Sequence, residues 1–74
     1  MISIRNKEYI QAFGQRLFRL RIESGLSQEK LAHKADVPVN QVGRIERGEV
    51  NTTISTIYAI SEALKVSPKD LFDF

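Results

Sequence analysis

Residues 37–49, VPVNQVGRIERGE, decide how the rest of the chain is read. Val42 and Ile45 are spaced as on one face of a helix, yet Pro38 opens the stretch, Gly43 interrupts it and Gly48 ends it. Proline suits a first helical turn and glycine a helix end, so a helix of about two turns is expected between them. It is a poor helix: an interior glycine costs about 1 kcal/mol relative to alanine. Its other side carries Asn40, Gln41, Arg44 and Arg47. A helix this short does not hold alone in water, so packing holds its apolar side, and its polar side calls for a separate explanation.

Working outward, Ser27 is a candidate N-cap for QEKLAHKA, whose Leu31, Ala32 and Ala35 form a small apolar face. Asp36, Val37 and Pro38 break that helix. Upstream, Ile10, Phe13, Leu17 and Leu20 mark a helix from about Lys7 to Ser24, with Asn6 as N-cap, Gly14 as an interruption and Gly25 as its end. Downstream, Glu49 to Thr52 is a polar loop. Thr53 then caps a helix placing Ile54, Ile57, Ile60 and Leu64 toward the core and ending near Lys65. Ser67-Pro68 starts a last short helix through Leu71 and Phe72. Five helices and no convincing sheet make an all-α domain over residues 6–74. Met1 to Arg5 is set apart as an arm or short strand, from its Ile2/Ile4 alternation.

Composition narrows the function classes. The chain has 74 residues, no cysteine and a formal charge of +2. Disulfides and thiolate metal sites are excluded, and one histidine, His33, does not make a metal site. No segment reads as a membrane span or signal peptide, so a cytoplasmic location is expected. There is no glycine-rich phosphate loop and the sole histidine has no evident carboxylate partner, so the chain does not read as an enzyme, and no cofactor or small-molecule ligand is expected. Phe13 and Tyr58 read as core, and Arg16, Arg19 and Arg21 as solvated or paired charges of the first helix.

Two short helices joined by a tight turn form the helix-turn-helix arrangement, in which the first crosses the DNA backbone and the second enters the major groove. That explains the odd composition of residues 37–49. Asparagine pairs bidentately with adenine and arginine with guanine, so Asn40, Gln41, Arg44 and Arg47 suit base edges and phosphates. Gly43 either lets the backbone approach DNA or is merely tolerated.

The runs LRIESGLSQEKLA, VNQVGRIERGE and ISTIYAISEALKVSPKDLF together resemble the phage-repressor-type helix-turn-helix domain, the xenobiotic-response-element (XRE) family, over residues 13–72. The resemblance implies a five-helix repressor-like domain that binds double-stranded DNA and regulates transcription. Residue by residue, it implies base contacts from Val39, Asn40 and Arg44, with Gln41 beside them. It implies phosphate contacts from Ser27 and Gln28 at a helix amino end, and from Arg47, with Asn51 or Thr52 as a second clamp. It further implies a partly buried structural ion pair between Arg21 and Glu46. Three positions depart from the family pattern. Asp36 stands where a left-handed glycine is usual, Val39 where a polar residue is usual, and Phe18 where a charge is usual. Phe18 with Ile22 is expected to form a ledge for the last helix.

One recognition helix covers few base pairs, so a homodimer on an inverted-repeat operator is expected. Val66, Leu71, Phe72 and Phe74 are its candidate interface, with the alternative that Leu71 and Phe72 cap the core and Phe74 alone makes the contact. Repressors of the Cro type, restriction–modification controllers and antitoxins are the small stand-alone relatives that the resemblance implies. A protein-binding module, such as an antitoxin acting chiefly on a toxin, is the competing function.

Overall fold

The computed structural model describes residues 6–74; the expected arm at residues 1–5 lies outside them. The described chain is four α-helices followed by one 3-10 helix, with no strand among these residues. The helices are α1 (Lys7–Glu23), α2 (Gln28–Ala35), α3 (Val39–Glu46) and α4 (Ile54–Leu64). The expected fifth helix, Pro68–Phe72, is a single stretch of 3-10 helix rather than an α-helix. Five residues are too few for an α-helix to complete its i→i+4 ladder, and the tighter i→i+3 form is usual in short pieces.

The boundaries follow local chemistry. Side-chain oxygens of Asn6, Ser27 and Thr53 accept from the N–H of Tyr9, Lys30 and Thr56 at 2.8, 3.1 and 3.2 Å, satisfying donors that a helix start leaves unpaired. Asp36 ends α2 in the left-handed conformation, φ 56° and ψ 45°, so aspartate does here what glycine usually does. Pro38 sits just before α3, at its N-cap position, and provides no side-chain cap. The Ser67 N–H donates to the Asp70 carboxylate at 2.9 Å at the start of the 3-10 helix.

Phe13, Leu17, Leu20, Leu31, Ala32, Ala35, Val42, Ile45, Ile60, Leu64 and Leu71 form one core. Helix α1 packs on α3, α2 packs on both α3 and α4, and the 3-10 helix closes against α1 and α4. Arg16 fastens that last piece: its Nε donates to the Asp70 carbonyl at 2.8 Å. Three sequence expectations fail. Ile54 is 85 % exposed and Tyr58 58 %, because the inner face of α4 is taken up by Ile60, Ser61 and Leu64. Phe18 and Ile22 are also about half exposed. Instead of supporting the last helix, Phe18 lays its ring 5.3 Å from the Arg21 guanidinium carbon, a cation–π arrangement.

Arg21 is buried and joins three parts of the chain. Its Nε and a terminal nitrogen donate to the Glu46 carboxylate of α3 at 2.6 and 3.1 Å. Its remaining nitrogen donates to the Leu26 carbonyl at 2.9 Å, in the loop before α2. Gln28 of α2 also donates to Glu46, at 2.9 Å. The α1–α3 contact is so close that a Cβ at Gly14 would lie 2.3 Å from the Ile45 carbonyl oxygen and 2.7 Å from that of Glu46. Gly14 is therefore a packing requirement, which its sequence position did not reveal.

We predict that Gly14→Ala destabilises the protein by about 1–3 kcal/mol through overpacking against a rigid backbone. Urea denaturation measures it, and an unchanged midpoint would contradict the close approach. Glu46→Ala leaves Arg21 as a buried, unpaired charge, with an expected loss of about 3–5 kcal/mol. For a chain of this size each kcal/mol lowers the melting temperature by roughly 4–8 °C, within reach of calorimetry.

Candidate nucleic-acid interface

Helix α3 has two faces of opposite chemistry. Val42 and Ile45 are wholly buried, whereas Val39, Asn40 and Arg44 are exposed and Gln41 is half-buried. On an α-helix, residues 40 and 44 are neighbours one turn apart, so Asn40 and Arg44 share a face. Arg47 follows at the C-cap, also exposed. Val39, Asn40, Arg44 and Arg47 thus lie exposed along the outward side of α3.

The amino end of α2 is more constrained than the sequence suggested. Ser27 is exposed, but Gln28 is half-buried and its amide is committed to Glu46. The reason for Gly43 follows. A Cβ there would lie 3.0 Å from an Arg47 guanidinium nitrogen and 3.2 Å from the Gln28 carbonyl oxygen. Gly43 is buried on the side of α3 that meets Gln28. The missing side chain leaves room beside α3 for the Gln28 side chain, which reaches Glu46.

In the following loop, Asn51 is exposed and Thr52 half-buried. The Thr52 hydroxyl oxygen is buried with no hydrogen-bond partner among the described residues. Thr52 lines a groove with Tyr9, Phe13, Val50, Ile57 and Phe72, so a phosphate would meet its hydroxyl only if the loop shifted. Among the candidate interface residues at the C-terminus, Leu71 is wholly buried and belongs to the core. Phe72 packs its ring at a tilt on Phe13, centroids 5.0 Å apart, and stacks on Tyr9 at 6.4 Å. Phe74 remains 55 % exposed with its ring edge-on to Tyr9 at 5.1 Å, and Val66 packs partly against the core.

One residue of this edge was missed in the sequence. The Glu49 carboxylate accepts from Arg47 at 2.7 and 3.5 Å and lies 3.9 Å from the Arg44 Nε. The hydrogen bond to Arg47 holds the Glu49 carboxyl below the usual carboxylate range, and the same bond raises the Arg47 guanidinium. The signal was present as a carboxylate two residues after Arg47, beyond the helix-ending Gly48. Among the described residues no cluster of histidine, aspartate or glutamate could hold a metal, and no helix is long and apolar enough to cross a membrane.

Residues 17–71 match the helix-turn-helix family. The control protein C.BamHI of Bacillus amyloliquefaciens is 46% identical over 63 residues, covering 84% of this chain and 78% of that protein. The HTH-type transcriptional regulator y4dJ of Sinorhizobium fredii (strain NBRC 101917 / NGR234) is 36% identical over 58 residues, 78% of this chain and 75% of its own. Among solved structures, the restriction-modification controller protein C.AhdI from Aeromonas hydrophila superposes with a TM-score of 0.84 at 41% identity, covering 85% of this chain and 96% of that one. With its outward polar edge on the second helix of the pair and these similarities over most of its length, the chain belongs to the helix-turn-helix family of DNA-binding transcriptional regulators, close to the restriction–modification controller proteins.

Proposed function

We propose that this chain acts as a homodimeric controller of a restriction–modification system, binding an inverted-repeat operator in double-stranded DNA through one domain spanning residues 6–74. The observation that carries the reading is the outward edge of α3, where Asn40 and Arg44 stand exposed above a wholly buried Val42 and Ile45. In this reading Asn40 and Arg44 hydrogen-bond to base edges, Val39 packs on a thymine methyl, and Gln41 reaches a base or a phosphate. Arg47, Ser27 and the α2 amino end hold phosphates, with Asn51 as a further contact. Gln28 acts mainly through Glu46. Membership of the family and this chain's likeness to named controllers support the regulatory role.

The dimer rests on symmetry and on surface. Two half-sites about one helical turn apart, roughly 34 Å, need two recognition helices held at that spacing. Phe74 and Tyr9 expose aromatic rings, and Phe72 shares its groove with Ile57 of α4. Ile54 and Tyr58 of that same helix are the most exposed large apolar residues described. Exposed apolar surface of this extent suits a second copy of the chain. The candidate surface is therefore Val66, Phe72 and Phe74 with Tyr9, Ile54 and Tyr58 added, Leu71 being core.

Selection of bound duplexes from a random library should enrich an inverted repeat, and sedimentation should show a dimer at micromolar concentration. Enrichment of nothing above background would end the sequence-specific reading, and a monomer with and without the selected duplex would end the dimer. Arg44→Ala should cost about 1–3 kcal/mol and relax preference at one base pair, whereas Arg47→Ala should weaken all sequences alike and lower the salt slope by about one. Equal weakening of every sequence by Arg44→Ala would remove it from the base readers.

A further inference from the structure

Glu49 places a carboxylate at the carboxyl end of α3, beside two of its exposed arginines. It follows Gly48, which turns the chain at φ 73°. The Glu49 N–H donates to the Arg44 carbonyl at 2.9 Å and the Gly48 N–H to that of Ile45 at 3.0 Å. The Glu49 bond is the longer-range closure that ends a helix in a left-handed turn. The backbone thus fixes Glu49 over the carboxyl end of α3, where the helix dipole disfavours a negative charge. Ion pairs this exposed contribute little to stability. These two ion pairs therefore add little to the stability of α3.

Arg44 and Arg47, the two cations at this end of the outward edge, both lie against this one carboxylate, at 3.9 and 2.7 Å. Arg47 is occupied on two sides: its Nε and one terminal nitrogen face Glu49, while the other terminal nitrogen lies over Gly43. A phosphate oxygen reaching Arg47 would meet the carboxylate it has to displace.

We infer that Glu49 is a negative determinant of DNA affinity: its carboxylate competes with DNA for Arg44 and Arg47 and lowers binding to duplexes of any sequence. The inference rests on the reading that these arginines contact DNA. Sequence-independent binding is almost wholly electrostatic, so a carboxylate in place on both arginines before DNA arrives acts most directly on that mode. Because the contact is exposed and its partners flexible, it yields to a better acceptor without unfolding α3.

The test is fluorescence anisotropy of a labelled random-sequence duplex, between about 50 and 200 mM salt, with wild-type protein, Glu49→Gln and Glu49→Asp. Melting temperatures check that each variant is folded. Glu49→Gln should bind about twofold to fivefold more tightly, the factor an exposed ion pair commands, with a steeper salt dependence. Glu49→Asp, which keeps the charge, should stay closer to wild type. In an Arg44→Ala/Arg47→Ala background the gain from Glu49→Gln should vanish. Unchanged or weaker binding by Glu49→Gln would overturn the inference, and so would an equal gain in the background lacking both arginines. If the double arginine variant itself bound as tightly as wild type, the interface reading would fall first and the inference with it.

Discussion

The structure hangs on a single buried guanidinium. Arg21 of α1 reaches the loop before α2 through the Leu26 carbonyl and α3 through Glu46, and Glu46 in turn receives Gln28 of α2. A buried ion pair is weak evidence for stability, because desolvation offsets much of the attraction. Here the pair does something else: its bonds set the rotation of α3 about its own axis relative to the two helices that carry it. With both side chains less than a tenth exposed, a misplaced α3 would strand charge away from water. That cost makes one orientation of the outward edge much better than its neighbours.

Two glycines allow the arrangement. Gly14 lets α1 meet the carbonyls at the end of α3, and Gly43 leaves room for the Gln28 and Arg47 side chains beside α3. Each weakens its own helix by about 1 kcal/mol, and each is repaid in contacts between helices. A two-turn α3 could not bear this alone. It is stable because Val42 and Ile45 are wholly buried against its neighbours, which leaves its other face free to be chosen for hydrogen bonding.

The outer edge carries a second balance. Arg44 and Arg47 stand ready for an anion, yet an internal one is already close to both. Buried Glu46 and exposed Glu49 therefore do opposite kinds of work three residues apart. The first is permanent because nothing outside can reach it. The second is exchangeable because water, salt and phosphate all can.

What the sequence by itself determined was local. Caps at Asn6, Ser27 and Thr53, the helix break at Asp36 and the inward Val42 and Ile45 all appear where periodicity and capping place them, since each depends on residues within about one turn. The family motifs carried further, naming the Arg21–Glu46 pair across the chain. Tertiary structure alone decided the rest. Periodicity marks an apolar face but not how wide a strip the neighbours cover, so it places Ile54 and Tyr58 in a core that on α4 holds Ile60, Ser61 and Leu64. A glycine's neighbours, the ring over Arg21 and the partners of Glu49 all come from segments that meet only after folding. Contacts of that kind are set by where helices cross, and the spacing of residues along one helix does not contain that information.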